Sequence, residues 1–324
     1  MNGGKISIGR IMRKNVILLL LVALIITFSI AQPRFFSLTN LMNIYNQNAS
    51  LMLSSCGLAM IMISGGIDLS IGYIASLCGV VAAIMMKNMN VNIVVAIIAT
   101  ILVGAFCGAL NGFLSNKLKI HTMIVTLATM TLFQGMSYIV SQSQSFSSLP
   151  DGFKFIGQGY VGKIPVSIFA LIIIVAVVSF ILNKTHYGRY IYAIGGNPDA
   201  AYLAGINVER TRLRTFAING AMVGIAAVLL ISRSGSASSS MGTSLQFDSI
   251  TACILGGVSF TGGSGKVSNA VLGVLCLGVL SNGMQLVGWG VYVQYVVKAI
   301  LLVLAIAFDM YTKSKALADD AARA

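Results

Sequence analysis

Residues 92–114 read NIVVAIIATILVGAFCGALNGFL and contain no charged side chain. A helix needs about 20 apolar residues to cross the hydrocarbon of a bilayer, so this stretch reads as a transmembrane helix. Comparable stretches lie on both sides of it, at 16–32, 48–64, 69–86, 121–140, 164–182, 214–232, 247–260, 268–287 and 292–310, which makes about ten spans. The expected fold class is an all-α membrane protein. The shortest stretch, 247–260, carries Gly256-Gly257 near its end and reads as a helix that stops within the membrane.

Composition excludes a water-soluble fold. Of 324 residues, 57% are hydrophobic and 9% charged, whereas a soluble domain carries about a quarter charged residues. The formal charge of +13 does not point to nucleic acid, because the bases are dispersed between apolar stretches and no nucleic-acid-binding signature is present. In a membrane protein such bases mark the cytoplasmic side. With the N-terminus inside, the outer segments hold Arg34, Lys87, Lys154, Lys163 and Arg233, against 15 bases in the inner segments. Both termini are therefore expected in the cytoplasm. Lys87 is at odds with this bias and has no acid near it in sequence.

The chain divides into a cytoplasmic tail (1–15), a transmembrane domain (16–310) that includes a long inner loop (183–213), and a second cytoplasmic tail (311–324). Lys5, Arg10, Arg13 and Lys14 followed by an apolar run ending Ser29-Ile30-Ala31 resemble a signal peptide; with so many spans downstream, an uncleaved first helix is the expectation. Five cysteines, Cys56, Cys78, Cys107, Cys253 and Cys276, lie in apolar stretches without CxxC spacing and read as small buried apolar residues. The Ser-rich outer segments 141–148 and 232–242 read as flexible solvated loops or, alternatively, as a surface for an external partner. Gly104, Gly108 and Gly112, like Gly220 and Gly224, recur every four residues, the spacing of close helix packing. The segments SGGIDLSIG (64–72) and LGGVSFTGG (255–263) are faintly alike.

The inner loop contains GGNPDAAYLAGI (195–206). Asn197 can cap a helix N-terminus, Pro198 suits its first position, Asp199 meets the positive end of its dipole and Gly205 can terminate it. The loop therefore encodes one helix of about seven residues, too short to be stable alone. It must dock, either on a partner, where Ala200, Ala201 and Gly205 would allow close approach, or on the protein's own inner surface.

DAAYLAG (199–205) resembles the EAA-x3-G coupling motif of the membrane subunits of ATP-binding cassette importers, with Asp199 for Glu and without the downstream Ile and Leu-Pro elements. With SGGIDLSIG (64–72), THYGRYIYAIGGNPDAAYLAGINV (185–208) and FDSITACILGGVSFTGGSGK (247–266), the chain is similar to the ribose-type branch of that family from about residue 35 to 311. The resemblance implies a type II-like architecture on the bacterial inner membrane. It also implies that Asn197, Pro198, Asp199, Ala200, Ala201 and Gly205 couple to a cytoplasmic ATPase, which would use ATP and Mg. It further implies a periplasmic sugar-binding protein and a second permease subunit, the same or different. The cargo it favours is a monosaccharide, with a ribose-like pentose first and a nucleoside or furanose-like signalling molecule as alternatives. The chain itself is not expected to be an enzyme or to bind a cofactor or metal. GGSGKVS (262–268) fails as a phosphate loop, because Val267 replaces the Ser or Thr after Lys266 and Phe260 occupies the place of the first Gly. His121 and His186 have no acid–base or metal partner in sequence.

Intramembrane polar groups need a reason. Asp68 and Asp248 read either as helix caps or as gating or substrate groups, and Asp309 as solvated. Asn48, Asn111, Thr126, Thr129, Gln134, Asn219, Thr251, Asn282 and Gln285 can bond between helices or offer a sugar both donors and acceptors. For the substrate pathway the candidates are Asp68, Asn111, Thr126, Phe133, Gln134, Asp248 and Asn282. A secondary transporter, which would need paired acids or a proton relay, is one rival, and the stretches 92–114, 121–140, 164–182 and 268–287 hold no acid; a passive channel or membrane scaffold, which would not need a docking helix in its longest inner loop, is the other.

Overall fold

The computed structural model describes residues 16–321. The tail bases Lys5, Arg10, Arg13, Lys14 and Arg323 lie outside the described residues. Thirteen helices and one two-stranded hairpin follow in order: α1 (Val16–Ala31), α2 (Leu38–Ile63), α3 (Ile71–Lys87), α4 (Ile93–Leu118), α5 (Thr122–Ser141), α6 (Asp151–Gln158), β1 (Tyr160–Val161), β2 (Ile164–Pro165), α7 (Val166–Lys184), α8 (His186–Gly196), α9 (Pro198–Leu203), α10 (Val208–Ser234), α11 (Thr243–Leu255), α12 (Val267–Leu286) and α13 (Val291–Ala321). Of the described residues, 78% are helical. By length and composition, α4, α5, α7, α10, α12 and α13 through Tyr311 can cross a membrane, and α1 and α3 are shorter apolar helices.

Each of the ten apolar stretches coincides with a helix, but several boundaries move: α10 starts six residues before 214–232, and α13 runs past 310 to Ala321. The stretch 48–64 is the inner part of the longer α2, whose first turns hold Asn40, Asn43, Asn46, Gln47 and Asn48. The stretch 247–260 is shifted upstream to α11, which has 13 residues. At 1.5 Å per residue α11 is about 20 Å long, shorter than the about 30 Å hydrocarbon layer. It ends at Gly256-Gly257, where Gly257 has φ +75.

Helix α2 is the axis of the bundle. From Ala49 to Ile63 every residue is buried, and α10, α11, α12 and α7 pack around it. The tightest pairing is α4 with α10: Gly104 and Gly108 lie backbone to backbone against Gly220, where added side chains would overlap main-chain atoms of the other helix. In lipid, such close approach gains dispersion contacts that larger residues would prevent. All five cysteines are buried and free. No residue in the apolar window of α13 is fully buried, though Leu301, Leu302, Ala305 and Ile306 pack against the main core.

Long-range bonds sort the connections onto two ends. At one end the Gly263 N–H donates to the Ile63 carbonyl at 2.9 Å, the Tyr192 hydroxyl to the Gly265 carbonyl at 2.8 Å, and Asn116 Nδ2 to the Glu209 carbonyl at 2.7 Å. At the opposite end Lys87 Nζ donates to the Ser147 carbonyl at 2.6 Å, and Gln158 Nε2 to the Arg233 carbonyl at 2.9 Å. The partner of Lys87 is therefore a carbonyl from a distant loop, not an acid. The Ser-rich segments are tied together at one point: Phe146 and Ala237 exchange backbone hydrogen bonds at 2.8 Å, and both are buried. Lys154 Nζ lies 2.7 Å from Asp151 Oδ1 on α6; its hydrogen bond and charge hold the exposed Asp151 carboxyl below the usual carboxylate range.

Candidate functional site

Three glycine-bearing turns meet at the end that carries α9: Ser64-Gly65-Gly66 after α2, Gly195-Gly196 at the end of α8, and Thr261–Gly265 between α11 and α12. A Cβ on Gly195 would overlap the Ile63 carbonyl oxygen and crowd the Gly263 nitrogen. Gly195 is thus required by close approach, whatever its backbone angles. The two faintly similar segments at 64–72 and 255–263 contribute two of these turns, and the inner loop wedges between them.

Helix α9 follows directly. The Asn197 side-chain oxygen accepts from the Asp199 and Ala200 N–H groups at 3.0 Å each, with Pro198 at the first position. At the other end Gly205 has φ +82; its N–H donates to the Tyr202 carbonyl at 2.9 Å and the Ile206 N–H to the Ala201 carbonyl at 3.0 Å. This double bond pattern with a left-handed glycine is the Schellman stop. The helix has six residues, one fewer than expected. Ala201 is only 4% exposed and packs α9 against the body of the protein. Tyr202 and Leu203 are instead 71% and 85% exposed. Sequence reasoning passed over this pair because nothing in a one-turn helix shows which side faces outward.

One wall of an open groove of about 710 Å³ is formed by Pro198, Asp199 and Tyr202. Ser115 and Asn116 line it from the end of α4 and His121 from the α4–α5 connection, with Glu209 and Arg212 from α10. His121 caps α5, its Nδ1 accepting from the Met123 N–H at 3.3 Å, and His186 Nδ1 lies 2.7 Å from an Arg189 guanidinium nitrogen.

Just above the three turns, the α2–α3 connection carries Asp68, which is 0% exposed. Its Oδ1 accepts from the Ser70 N–H at 2.9 Å and the Ser70 hydroxyl at 2.6 Å, and its Oδ2 from Asn219 Nδ2 of α10 at 2.9 Å. Asn111 Nδ2 of α4 donates to Ser70 Oγ at 2.8 Å, and the Thr129 hydroxyl of α5 to Asn111 Oδ1 at 2.6 Å. Thr126 receives the Leu69 N–H at 3.1 Å and donates to the Ile67 carbonyl at 3.2 Å. One carboxylate and its neutral partners thus tie the connection to α4, α5 and α10. Asp68 is not the cap of α3; that position is Ser70.

The other pathway candidates stand elsewhere. Asp248 lies in the second turn of α11 and not at its cap, which is Gly242; it pairs with Lys298 of α13 at 2.9 Å, both about one-fifth exposed. Asn282 exchanges two side-chain bonds with Asn40, at 2.8 and 3.0 Å. Phe133 is buried in the main core and Gln134 beside it is half-buried. Asp309, expected to be solvated, accepts from the Phe260 N–H at 3.1 Å and so holds the α11–α12 connection. Of the seven pathway candidates, the structure joins only Asp68, Asn111 and Thr126. Ser70, Asn40 and Lys298 were missed as their partners. The Asp-x-Ser spacing could have revealed Ser70; no local pattern links Asp248 to Lys298.

Residues 40–306 match the family described as the permease component of the branched-chain amino acid transport system. The chain belongs to this family. It is 36% identical to the ribose import permease protein RbsC of Haemophilus influenzae over 96% of this chain and 97% of that one. It is 38% identical to RbsC of Bacillus subtilis over 88% and 89% of the two chains, and 36% identical to the L-arabinose transport system permease protein AraH of Escherichia coli over 96% and 94%. No solved structure matches. As a permease with membrane-spanning helices and bacterial relatives, the chain is a multi-pass protein of the inner membrane.

Proposed function

We propose that this permease is the membrane-spanning subunit of an ATP-driven monosaccharide importer, with α9 as the element that receives force from a separate ATPase. The observation that carries the reading is α9 itself. It is capped at both ends, anchored through Ala201, exposes Tyr202 and Leu203, and follows Gly195-Gly196, which contacts both other glycine turns. Six residues do not hold a helix in water; the caps and the anchor keep one ready for a partner. A displacement of α9 would reach the α2–α3 connection through Ile63 and the α11–α12 connection through Gly263 together. Rigid packing passes such shifts on as discrete rearrangements.

The ATPase would supply ATP and Mg chemistry. A periplasmic binding protein would deliver the sugar at the opposite end, and a second permease subunit would complete the pathway. Charge bias supports an arrangement of about ten crossings with the α9 end in the cytoplasm. The names of the relatives favour a pentose, ribose before arabinose. Asp68, Asn111 and Thr126 would serve the pathway by holding its walls, since all three are fully buried and bonded to protein groups around them: Asp68 to Ser70 and Asn219, Asn111 to Ser70 and Thr129, Thr126 to the backbone of Ile67 and Leu69. Gln134, Asn282 and the Asp248–Lys298 pair remain the groups that could meet hydroxyls.

The test is uptake of labelled D-ribose into vesicles holding this chain, its ATPase and its binding protein. L-arabinose and a nucleoside serve as competitors. Uptake should need ATP inside and the binding protein outside, and ribose should compete best. Uptake driven by an ion gradient without ATP would overturn the reading.

A further inference from the structure

The inner end of α4 and the first turns of α10 form a second open groove, of about 410 Å³, lined by Phe113, Asn116, Lys117, Lys119, Arg210 and Leu213, with Glu209 beside them. Its frame is fixed. Asn116 donates to the Glu209 carbonyl at 2.7 Å and accepts from Arg212 Nη1 at 3.2 Å, which locks the two helix ends together. Lys117, Lys119 and Arg210 are all exposed, so three cations face one carboxylate.

The groove continues an apolar row. On α4 the exposed residues Leu102, Phe106 and Phe113 are followed by exposed Lys117. The steps of four, seven and four residues keep all four on one face of a helix. On a spanning helix that face meets acyl chains, and a Lys at its end reaches the headgroup layer. Basic clusters beside a spanning helix attract anionic lipid, and Arg matches phosphate through paired N–H donors.

We propose that this groove is a binding site for an anionic glycerophospholipid. Its phosphate would be held by Lys117, Lys119 and Arg210, with one acyl chain along Leu102, Phe106 and Phe113. The unbroken passage from exposed apolar face to basic groove favours lipid over a soluble anion, which would have no use for the three apolar side chains. Bound there, the lipid would brace the tight α4–α10 pair at the end that carries α9.

The full chain, purified in detergent, is offered phosphatidylglycerol or phosphatidylcholine with matched acyl chains, with and without soluble glycerol phosphate. Native mass spectrometry reads the lipid retained. Phosphatidylglycerol should be retained over phosphatidylcholine, and glycerol phosphate at equal concentration should not displace it. The double variant Lys117→Gln/Arg210→Gln should lower retention by about tenfold or more, and Lys119→Gln alone by less. Lys163→Gln, in the hairpin at the opposite end, should leave it unchanged. Equal retention of both lipids, or unchanged retention in the double variant, overturns the proposal. Displacement by glycerol phosphate assigns the groove to a free anion. Release on adding the ATPase assigns it to that subunit's footprint. Either result also overturns it.

Discussion

At the residue scale, Asp68 shows how one buried carboxylate can organise a membrane interior. It gathers two donors from Ser70 and one from Asn219, and through Ser70 reaches Asn111 and Thr129. Removing it leaves those donors buried without an acceptor, each costing about 1–3 kcal/mol. Asp68→Ala should therefore lower the melting temperature in detergent markedly, by several degrees for each kcal/mol lost. Asp68→Asn should be milder. The Asn219 side-chain oxygen has no hydrogen-bond partner, so the Asn219 amide can turn to receive the new amide's N–H. Equal melting points for Asp68→Ala and the parent would show that the node carries no stability.

At the element scale, α9 and the turn before it make separable predictions. Gly205 sits at φ +82 with open space where a Cβ would stand, so Gly205→Val acts through backbone strain, costing on the order of 1 kcal/mol or more. It should leave the chain in the membrane while weakening ATPase co-purification and abolishing uptake. Leu203→Asp changes only an exposed side chain, so the melting point should stay within about 1 °C of the parent and ATPase recovery should fall. Gly195→Ala should act differently: the added methyl meets the Ile63 carbonyl, so the ATPase should still co-purify while uptake is lost. If Gly195→Ala transports normally, the three-turn junction is not the route of coupling. If Leu203→Asp retains the ATPase in full, α9 is not the docking element.

On the scale of the whole molecule, long-range bonds gather the loops around residues 147, 158 and 233 at one end and those around 116, 195 and 263 at the other. Every native cysteine is buried, so an introduced one can be read against a low background. In intact cells a membrane-impermeant thiol reagent should label Gly162→Cys in the hairpin and not Leu203→Cys on α9. Labelling of both, or of Leu203→Cys alone, would overturn the proposed orientation.

How much of this was legible in the chain follows from the range of each interaction. The existence of the helices needed only runs such as 92–114, because a spanning segment satisfies its own backbone and shows its solvent, lipid, in its side chains. The caps of α9 were equally local, since Asn197, Pro198 and Gly205 act on atoms within a few residues of themselves. The side of α9 that faces outward was not local. Ala201 is buried and Leu203 exposed because of where α8 and α10 lie, and both types of side chain are at home on either face. The partners of Asp248, Asn282 and Asp309 were hidden for the same reason: Lys298, Asn40 and the Phe260 N–H lie tens to hundreds of positions away. Composition and spacing thus determined a membrane-spanning helical fold with a short capped helix in its longest polar loop, and resemblance added the permease family. Only tertiary structure decided which polar groups close on one another and which glycines touch. A hydrogen bond or a backbone contact depends on distance in space, and helices packed side by side bring together residues whose separation in sequence carries no trace of it.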